Sequence, residues 1–474
     1  MQSVPVVSRT GEPTALRGEV VQDFRNALQG KLILPEEPDY EAARHIWNGM
    51  IDKYPGMIVQ CAGPADVVHS VNLAREHGLR LSIRGGGHNV AGGAIADQGL
   101  VIDLSRMCNV QVDPEHRTAR AQGGAKLGDL DAATGPFGLA APLGVVSATG
   151  VAGLTLHGGA GWLMRRDGLS IDNLISVEIV TADGELRTAS QHENPDLFWA
   201  LRGGGGNFGV VTAFEFALHP VGPEVWMAVP IYPLERAQDV ISAGRDYLAK
   251  AGDDLTVLAV LWSAPEVPEV PTEWQGTPVV ILLGCYTGPV DCGEAAIAPL
   301  REIGQPIADL SGCMPWVEAQ KFLDPDYPDG RCYYWKSLYF DRLDAEVVDV
   351  LQRHAEKRPS VLSSIDIWLL GGAASRIAPT ATAFWNRHSP YMLGIEANWE
   401  RREDADANVR WARELFDAME PYSDGGVYLN FPGFLEDRDA LVLAAYGDNA
   451  ERLRHVKTAY DPEDLFPGLL GRPG

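Results

Sequence analysis

Hydrophobic and polar positions follow two different patterns along the chain. Before residue 219, short apolar runs are separated by clusters of glycine. Apolar residues at 67, 68, 71 and 74 repeat with the period of a helix, which predicts a helix at Pro64–His77. We expect a strand on each side of it, at Met57–Cys61 and at Arg80–Arg84. Residues 99–113 predict two short β segments, and residues 117–134 predict a strand that leads into a helix.

A hairpin and a glycine loop follow farther along this first part. In residues 175–190, apolar and polar side chains alternate on both sides of the dipeptide Asp183-Gly184, and this dipeptide is typical of a tight turn between two strands. Residues 195–220 predict a helix, a glycine-rich loop and a strand. After Pro220 glycine loops become rare, and longer alternating runs such as 278–288 and 363–372 predict strands between amphipathic helices.

These patterns predict an α+β protein with an insertion. A chain of 474 residues is too long for one ordinary domain, which has about 100–200 residues. We expect an N-terminal domain at 1–218 and an inserted domain of antiparallel sheet covered by helices at 219–424. Residues 425–474 should return to the first domain.

Composition narrows the function classes. The formal charge of −25, from 39 Lys and Arg against 64 Asp and Glu, repels phosphate backbones and argues against nucleic-acid binding. Six scattered cysteines without a CxxC pair fit reduced thiols better than disulfides or a zinc site. The first twenty residues lack the pattern of a signal peptide, and no run approaches about 18 apolar residues, so we expect a cytoplasmic protein without a membrane span.

Four segments have the composition of a ligand site. The first, Arg84–Asn89, places three glycines after a strand, where backbone N–H groups can surround an anion, although a lone GGGH also fits a surface turn. The second, Gly144–Gly161, is poor in side chains and should lie against a flat ligand or another backbone, rather than form a flexible linker. The third is Arg202–Val211, and the fourth is Tyr428–Asn430.

Together these segments resemble the FAD-binding fold of the vanillyl-alcohol-oxidase superfamily, with its PCMH-type FAD-binding domain, and specifically the berberine-bridge-enzyme-like oxidases. The resemblance covers roughly residues 35–218 and 425–466 and rests on several motifs in the same order. These motifs are RGGGHN (84–89), DLSRM (103–107), the glycine run 144–161, GLSIDN (168–173), VTADG (180–184), NPDLFWALRGGGGNFGVVT (194–212), YLN (428–430) and YDPEDLF (460–466).

The resemblance implies a covalent flavin. The histidine of the family's GGH motif bonds to the 8α-methyl group of FAD, and that role falls on His88. The other cofactor-binding residues implied for the pyrophosphate, the flavin and the adenine are Arg84, Gly85, Gly86, Gly87, Asn89, Val146, Thr149, Gly150, Gly153, His157, Gly161, Val211, Tyr428 and Asn430. No metal is expected.

One departure from the family concerns a second tether. Many members attach the flavin also through a cysteine four residues before the glycine that matches Gly150, but Val146 stands there in this chain. No cysteine lies between residues 109 and 284, so a cysteinyl bond is impossible at this site. The chain therefore resembles the single-tether bacterial branch of the family.

Candidates for catalysis are fewer and leave alternatives open. Tyr428, with Asn430, can act as a base if its pKa is lowered, or it can simply pack on the flavin. Glu396 and Asp366 are weaker base candidates, because both can equally be solvent-facing strand residues. Thr149 should lie where oxygen approaches, and its hydroxyl either assists oxygen or satisfies a nearby carbonyl.

The resemblance implies an FAD-linked oxidase that removes a hydride from a small organic substrate and is reoxidised by O2 to give H2O2. Because sugar oxidases often carry both tethers, Val146 favours a secondary metabolite as substrate. A dehydrogenase with another acceptor, a carbohydrate oxidase and a non-catalytic binding protein remain alternatives. We expect a monomer or homodimer.

Overall fold

The computed structural model describes residues 3–433, 437–466 and 468–471. The predicted C-terminal segment, 425–474, includes residues 434–436, 467 and 472–474, which lie outside the described residues.

Strands and helices alternate in the first half, and long strands dominate the second half. The strands are β1 (Val4–Val7), β2 (Pro13–Leu16), β3 (Lys31–Ile33), β4 (Met57–Gln60), β5 (Leu81–Arg84), β6 (Leu100–Asp103), β7 (Val110–Asp113), β8 (Thr118–Gln122), β9 (Leu139–Ala140), β10 (Leu174–Val180), β11 (Leu186–Ser190), β12 (Val210–Ala217), β13 (His219–Pro220), β14 (Glu224–Ala228), β15 (Pro230–Pro233), β16 (Leu255–Ser263), β17 (Pro278–Tyr286), β18 (Ala308–Asp309), β19 (Gly312–Pro315), β20 (Cys332–Phe340), β21 (Ser364–Leu369) and β22 (Tyr391–Trp399). The α-helices are α1 (Gly18–Ala27), α2 (Tyr40–Arg44), α3 (Pro64–His77), α4 (Leu127–Thr134), α5 (Val151–Leu156), α6 (Met164–Asp167), α7 (Pro195–Leu201), α8 (Ala237–Leu248), α9 (Val290–Arg301), α10 (Trp316–Gln320), α11 (Ala345–Ala355), α12 (Gly372–Arg376), α13 (Ala405–Met419), α14 (Arg438–Tyr446) and α15 (Ala450–Tyr460). Short 3-10 helices lie at Gly135–Phe137, Ser170–Asn173, Leu234–Arg236, Asp324–Asp326, Arg402–Asp404, Glu420–Tyr422 and Gly447–Asn449.

Two sheets build the N-terminal part. The first has the order β3-β4-β6-β5, and its β4–β6 and β6–β5 pairs are parallel. The second is antiparallel, with the order β11-β10-β12-β8-β7. The predicted helix at Pro64–His77 is present and ends on Gly78 in a left-handed conformation. The predicted hairpin is also present, since β10 and β11 pair around Gly184, whose φ of 83° suits the turn.

A large antiparallel sheet dominates the rest of the chain. Its strands run in the order β18-β15-β17-β16-β21-β22-β20, and β14 and β19 extend it. One face carries alternate apolar residues, among them Val257, Ile365 and Ile395, which pack with α8, α9, α11 and α13. The predicted α+β class, with an antiparallel sheet covered by helices, is therefore confirmed. The predicted domain boundaries at 218 and 424 stay predictions.

The other face of this sheet packs against the N-terminal part. Leu258, Trp368 and Met392 point from it into a core that also contains Trp47 and Val146. A buried ion pair crosses the same contact, because Arg387 donates two hydrogen bonds of 2.8 Å to the carboxylate of Asp172. Both faces of the sheet are thus covered. Within the described ranges, no helix is long and apolar enough to cross a membrane.

Candidate active site

A cavity of about 1100 Å³ lies between the glycine segments and the large sheet. Most of the residues singled out in the sequence line it. These are Gly85, Gly86, Gly87, His88, Asn89, Val146, Thr149, Gly150, Gly153, His157, Val211, Asp366, Glu396, Tyr428 and Asn430. Segments far apart in the chain therefore meet at one site, as their shared composition predicted.

Two predicted cofactor residues, Arg84 and Gly161, do not line the cavity. Arg84 ends β5 and donates a 2.7 Å hydrogen bond from Nη1 to the carbonyl of Ala43. A β-carbon at Gly161 would lie 1.7 Å from the carbonyl oxygen of Leu143. Arg84 thus satisfies a backbone carbonyl and Gly161 permits a close backbone contact, and their assignment to the cofactor stays a prediction.

The first two glycine segments touch each other through their backbones. A β-carbon at Gly86 would lie 2.5 Å from both the nitrogen and the α-carbon of Gly150, and one at Gly150 would lie 2.5 Å from the nitrogen of Gly86. Gly87 has a φ of 71°, which favours glycine. The absence of side chains therefore brings the loop of His88 against the start of α5 and leaves peptide groups on the cavity wall.

His88 carries a ring nitrogen without a partner. Its Nε2 is shielded from solvent and makes no hydrogen bond within the described part of the chain. Desolvation, with a smaller effect of the nearby Lys126 charge, lowers the pKa of His88 from 6.5 to about 3. The imidazole is thus neutral at physiological pH, and this form has a lone pair available to bond carbon.

Trp47 holds the ring of His88. The two rings stack with centroids 3.9 Å apart and an interplanar angle of 19°. On its other face Trp47 stacks on Tyr333 of β20, at 3.7 Å and 12°, and its indole N–H donates to the carbonyl of Tyr327. The large sheet therefore fixes the orientation of the histidine. Sequence reasoning missed Trp47, because nothing local to it indicates these contacts.

Val146 and Thr149 line the cavity from one loop. Val146 is buried, and at this position the chain offers no thiol. The nitrogen of Thr149 donates to the carbonyl of Val146, and its carbonyl accepts from Leu127. The Thr149 hydroxyl makes no hydrogen bond to any residue that the structure describes. The expectation that this hydroxyl only satisfies a nearby carbonyl is therefore wrong.

The Tyr428 oxygen is held by three donors. It accepts from the N–H groups of Gly159 and Ala160, at 3.2 and 3.1 Å, and from Nδ2 of Asn430 at 2.8 Å. Burial nevertheless raises the pKa of Tyr428, although all three donors oppose the rise. Burial therefore favours the neutral phenol here, while the three donors hold its oxygen in place. The role of Tyr428 as a base stays a prediction.

Two buried carboxyls face the cavity from neighbouring strands. Asp366 on β21 and Glu396 on β22 are 6% and 4% exposed, so the alternative in which they are solvent-facing strand residues is wrong. Glu396 accepts a 2.7 Å hydrogen bond from the hydroxyl of Tyr327, whereas Oδ1 of Asp366 has no partner among the described residues. Burial raises the pKa of Asp366 to about 7, and burial and the Asp366 charge raise the pKa of Glu396. Asp366 can therefore take up or release a proton near neutral pH.

Aromatic side chains surround these carboxyls. Trp335 makes edge contacts with Tyr327 and Phe431, with centroids 5.6 and 5.0 Å apart, and Phe431 makes a similar contact with Tyr428. Trp368 and Trp335 both line the cavity. Sequence reasoning missed this wall. Its only local signal is the alternation along β21 and β22, which places Asp366 and Trp368 on one face.

The site fits FAD on its own chemistry. A side-chain-poor cradle runs along one wall, an unpartnered neutral imidazole ends its loop, and a proton acceptor lies at the sheet end of the same cavity. No group of three or more His, Cys, Asp or Glu able to hold a metal exists within the described ranges. Fold and site together define the class as an FAD-linked oxidoreductase.

Comparison with known proteins identifies the family. The FAD binding domain family matches residues 55–190, and the berberine and berberine-like family matches residues 427–467. The chain is 32% identical over 449 residues to an uncharacterized FAD-linked oxidoreductase of Bacillus subtilis (strain 168), YgaK, covering 93% of this chain and 96% of that protein. The chain therefore belongs to the berberine-bridge-enzyme-like FAD-linked oxidoreductases, as its motifs predicted.

Characterised relatives and solved structures agree with this family. The (R)-6-hydroxynicotine oxidase of Paenarthrobacter nicotinovorans is 30% identical over 458 residues, which cover 93% of this chain and 96% of the relative. The crystal structure of 6-hydroxy-D-nicotine oxidase from Arthrobacter nicotinovorans has a TM-score of 0.82 at 28% identity, with 93% and 96% of the two chains covered. A xylooligosaccharide oxidase from Myceliophthora thermophila C1, in complex with xylobiose, has a TM-score of 0.80 at 25% identity, with 95% and 98% covered.

Proposed function

We propose that this protein is an FAD-dependent oxidase that carries its flavin on His88 and oxidises a small organic substrate by hydride transfer.

 The observation that supports the proposal is the shielded, unpartnered Nε2 of the neutral His88 ring at the end of the glycine loop. When bound, FAD would supply the hydride acceptor, and its reoxidation would transfer two electrons and two protons to O2 to give H2O2.

Residues of the N-terminal part would hold the cofactor. Gly86 and Gly150 would offer backbone N–H groups to the pyrophosphate, and Val211 on β12 would approach the adenine. His88 would form the single covalent bond to the 8α-methyl group. Because Val146 stands where a second tether needs a cysteine, we infer a flavin attached at one point only.

The substrate end of the cavity supplies the proton chemistry. We assign the acceptance of the substrate O–H or N–H proton to the pair of Glu396 and Asp366, because both carboxyls are buried in the cavity and burial raises the pKa of each, that of Asp366 to about 7. Tyr428 and Asn430 position the site through the hydrogen bonds to Gly159 and Ala160. The aromatic wall excludes water from the reacting atoms.

A carbohydrate oxidase is the second candidate. The xylooligosaccharide oxidase is 29% identical over 497 residues, covering 98% of this chain and 96% of that protein. A dehydrogenase that uses another electron acceptor shares the same reductive chemistry and differs only in the reaction with oxygen.

The covalent bond and the oxidase activity are tested separately. Protein denatured in acid and run on a gel should keep flavin fluorescence in the band, and His88→Ala should release FAD into the supernatant while retaining some bound FAD before denaturation. Free FAD from the wild-type protein refutes the covalent bond. An aerobic screen for peroxide against sugars, amines and phenolic ketones then tests the oxidase, and flavin reduction without peroxide identifies the dehydrogenase.

A further inference from the structure

The sheet end of the cavity carries two buried carboxyls without a counterion. Neither Asp366 nor Glu396 forms an ion pair with any Lys, Arg or His among the described residues. Glu396 is held only by the Tyr327 hydroxyl, and Oδ1 of Asp366 is buried without a hydrogen-bond partner. A buried carboxyl without a partner is costly, so a group that pairs with it on binding recovers much of that cost.

The strand register brings the two carboxyls together on one face of the sheet. Asp366 is paired with Gly394, and Glu396 follows two residues later on the same face of β22. A β-carbon at Gly394 would lie 3.5 Å from Cβ of Asp366 and 3.7 Å from Oε1 of Glu396. The ring of Phe431 also lies 3.5 Å from that position, and Asp366, Glu396 and Phe431 all line the cavity, so a ligand in the cavity can reach both carboxyls.

Aromatic side chains belong to the same site. Trp335, Trp368, Tyr327 and Phe431 line the same cavity as the carboxyls. Aromatic rings attract cations through their quadrupoles, and a carboxylate beside them adds a full opposite charge. A neutral polyol carries no charge for a carboxylate or the rings to attract.

We propose that Asp366, together with Glu396 and the aromatic wall, binds the cationic nitrogen of an amine substrate, and that Asp366 determines this specificity. The proposal rests on the proposed function, because it names the substrate class of the same cavity. Burial supports it further, because burial raises the pKa of Asp366 to about 7, and an ammonium group beside the carboxyl would stabilise its charged form.

The test measures binding by calorimetry at pH 8 with four benzyl probes. Benzyltrimethylammonium and benzylamine are cations, benzyl alcohol is neutral, and benzoate is an anion. We expect both cations to bind the holoenzyme at least tenfold more tightly than benzyl alcohol, and benzoate not to bind. Calorimetry does not depend on flavin reduction, so a failure of the oxidase proposal leaves this result readable.

The variants assign the preference to one carboxyl. Asp366→Asn should weaken the binding of both cations at least tenfold and leave the binding of benzyl alcohol unchanged. Asp341→Asn removes the same charge from an exposed position just after β20 and should behave as the wild type. Equal binding of cation and alcohol by the wild type, no binding of either cation, or an unchanged preference in Asp366→Asn overturns the proposal.

Discussion

Gly86 offers a direct test of the contact between the two glycine segments. In Gly86→Ala, the new methyl group would lie 2.5 Å from two backbone atoms of Gly150, about 0.9 Å closer than an ordinary contact. Backbone cannot rotate away as a flexible side chain can, so one segment must shift. Overpacking of this kind costs about 1–3 kcal/mol, and we expect the upper end of that range.

The assay combines thermal unfolding with flavin content. A loss of about 3 kcal/mol lowers Tm by roughly 6–12 °C if each kcal/mol shifts a domain of this size by about 2–4 °C. The same shift should move His88 and reduce the fraction of protein with covalently bound flavin. Gly312→Ala is the control, because a β-carbon there meets nothing within 4 Å. A Gly86→Ala protein with wild-type Tm and full flavin loading would refute the reasoning.

Three further predictions concern single side chains of the cavity. If the Thr149 hydroxyl assists oxygen, Thr149→Val should slow reoxidation of the reduced flavin by roughly thirty- to thousandfold, which corresponds to about 2–4 kcal/mol. Thr149→Leu should block the access of oxygen and leave flavin reduction intact. Stopped-flow mixing of the reduced variants with O2 measures both effects, and a Thr149→Leu protein that reoxidises normally contradicts the assignment. The raised pKa of Asp366, about 7, means that its stabilising protonation is complete below about pH 4 and is lost as the pH rises through 7. Asp366→Asn should therefore unfold at a higher temperature than the wild type at pH 8, with the gap closing towards pH 4, and a gap that does not change with pH contradicts the burial argument. Val146→Cys should allow a second covalent bond, visible as a flavin-linked peptide containing residue 146 in a mass spectrum, and its absence would show that this loop lies away from the flavin edge.

Local sequence determined most of the secondary structure of the N-terminal part. The helix at Pro64–His77 and the hairpin around Asp183-Gly184 follow from residue periodicity and turn chemistry, which act between near neighbours. The glycine clusters also indicated a ligand site, because backbone without side chains must lie against something. Ordered motifs along the chain were enough to identify the family.

Only the tertiary structure decided the chemistry at the sheet end of the cavity. Asp366 and Glu396 occupy polar positions that suit a solvent-facing strand, and they become buried because the N-terminal part covers that face of the sheet. Their proximity depends on the register of β21 with β22, and the stacking of Trp47 on His88 depends on how β20 docks. Burial and long-range register are properties of the packed chain, so no local pattern could specify the raised pKa of these carboxyls or the orientation of the histidine.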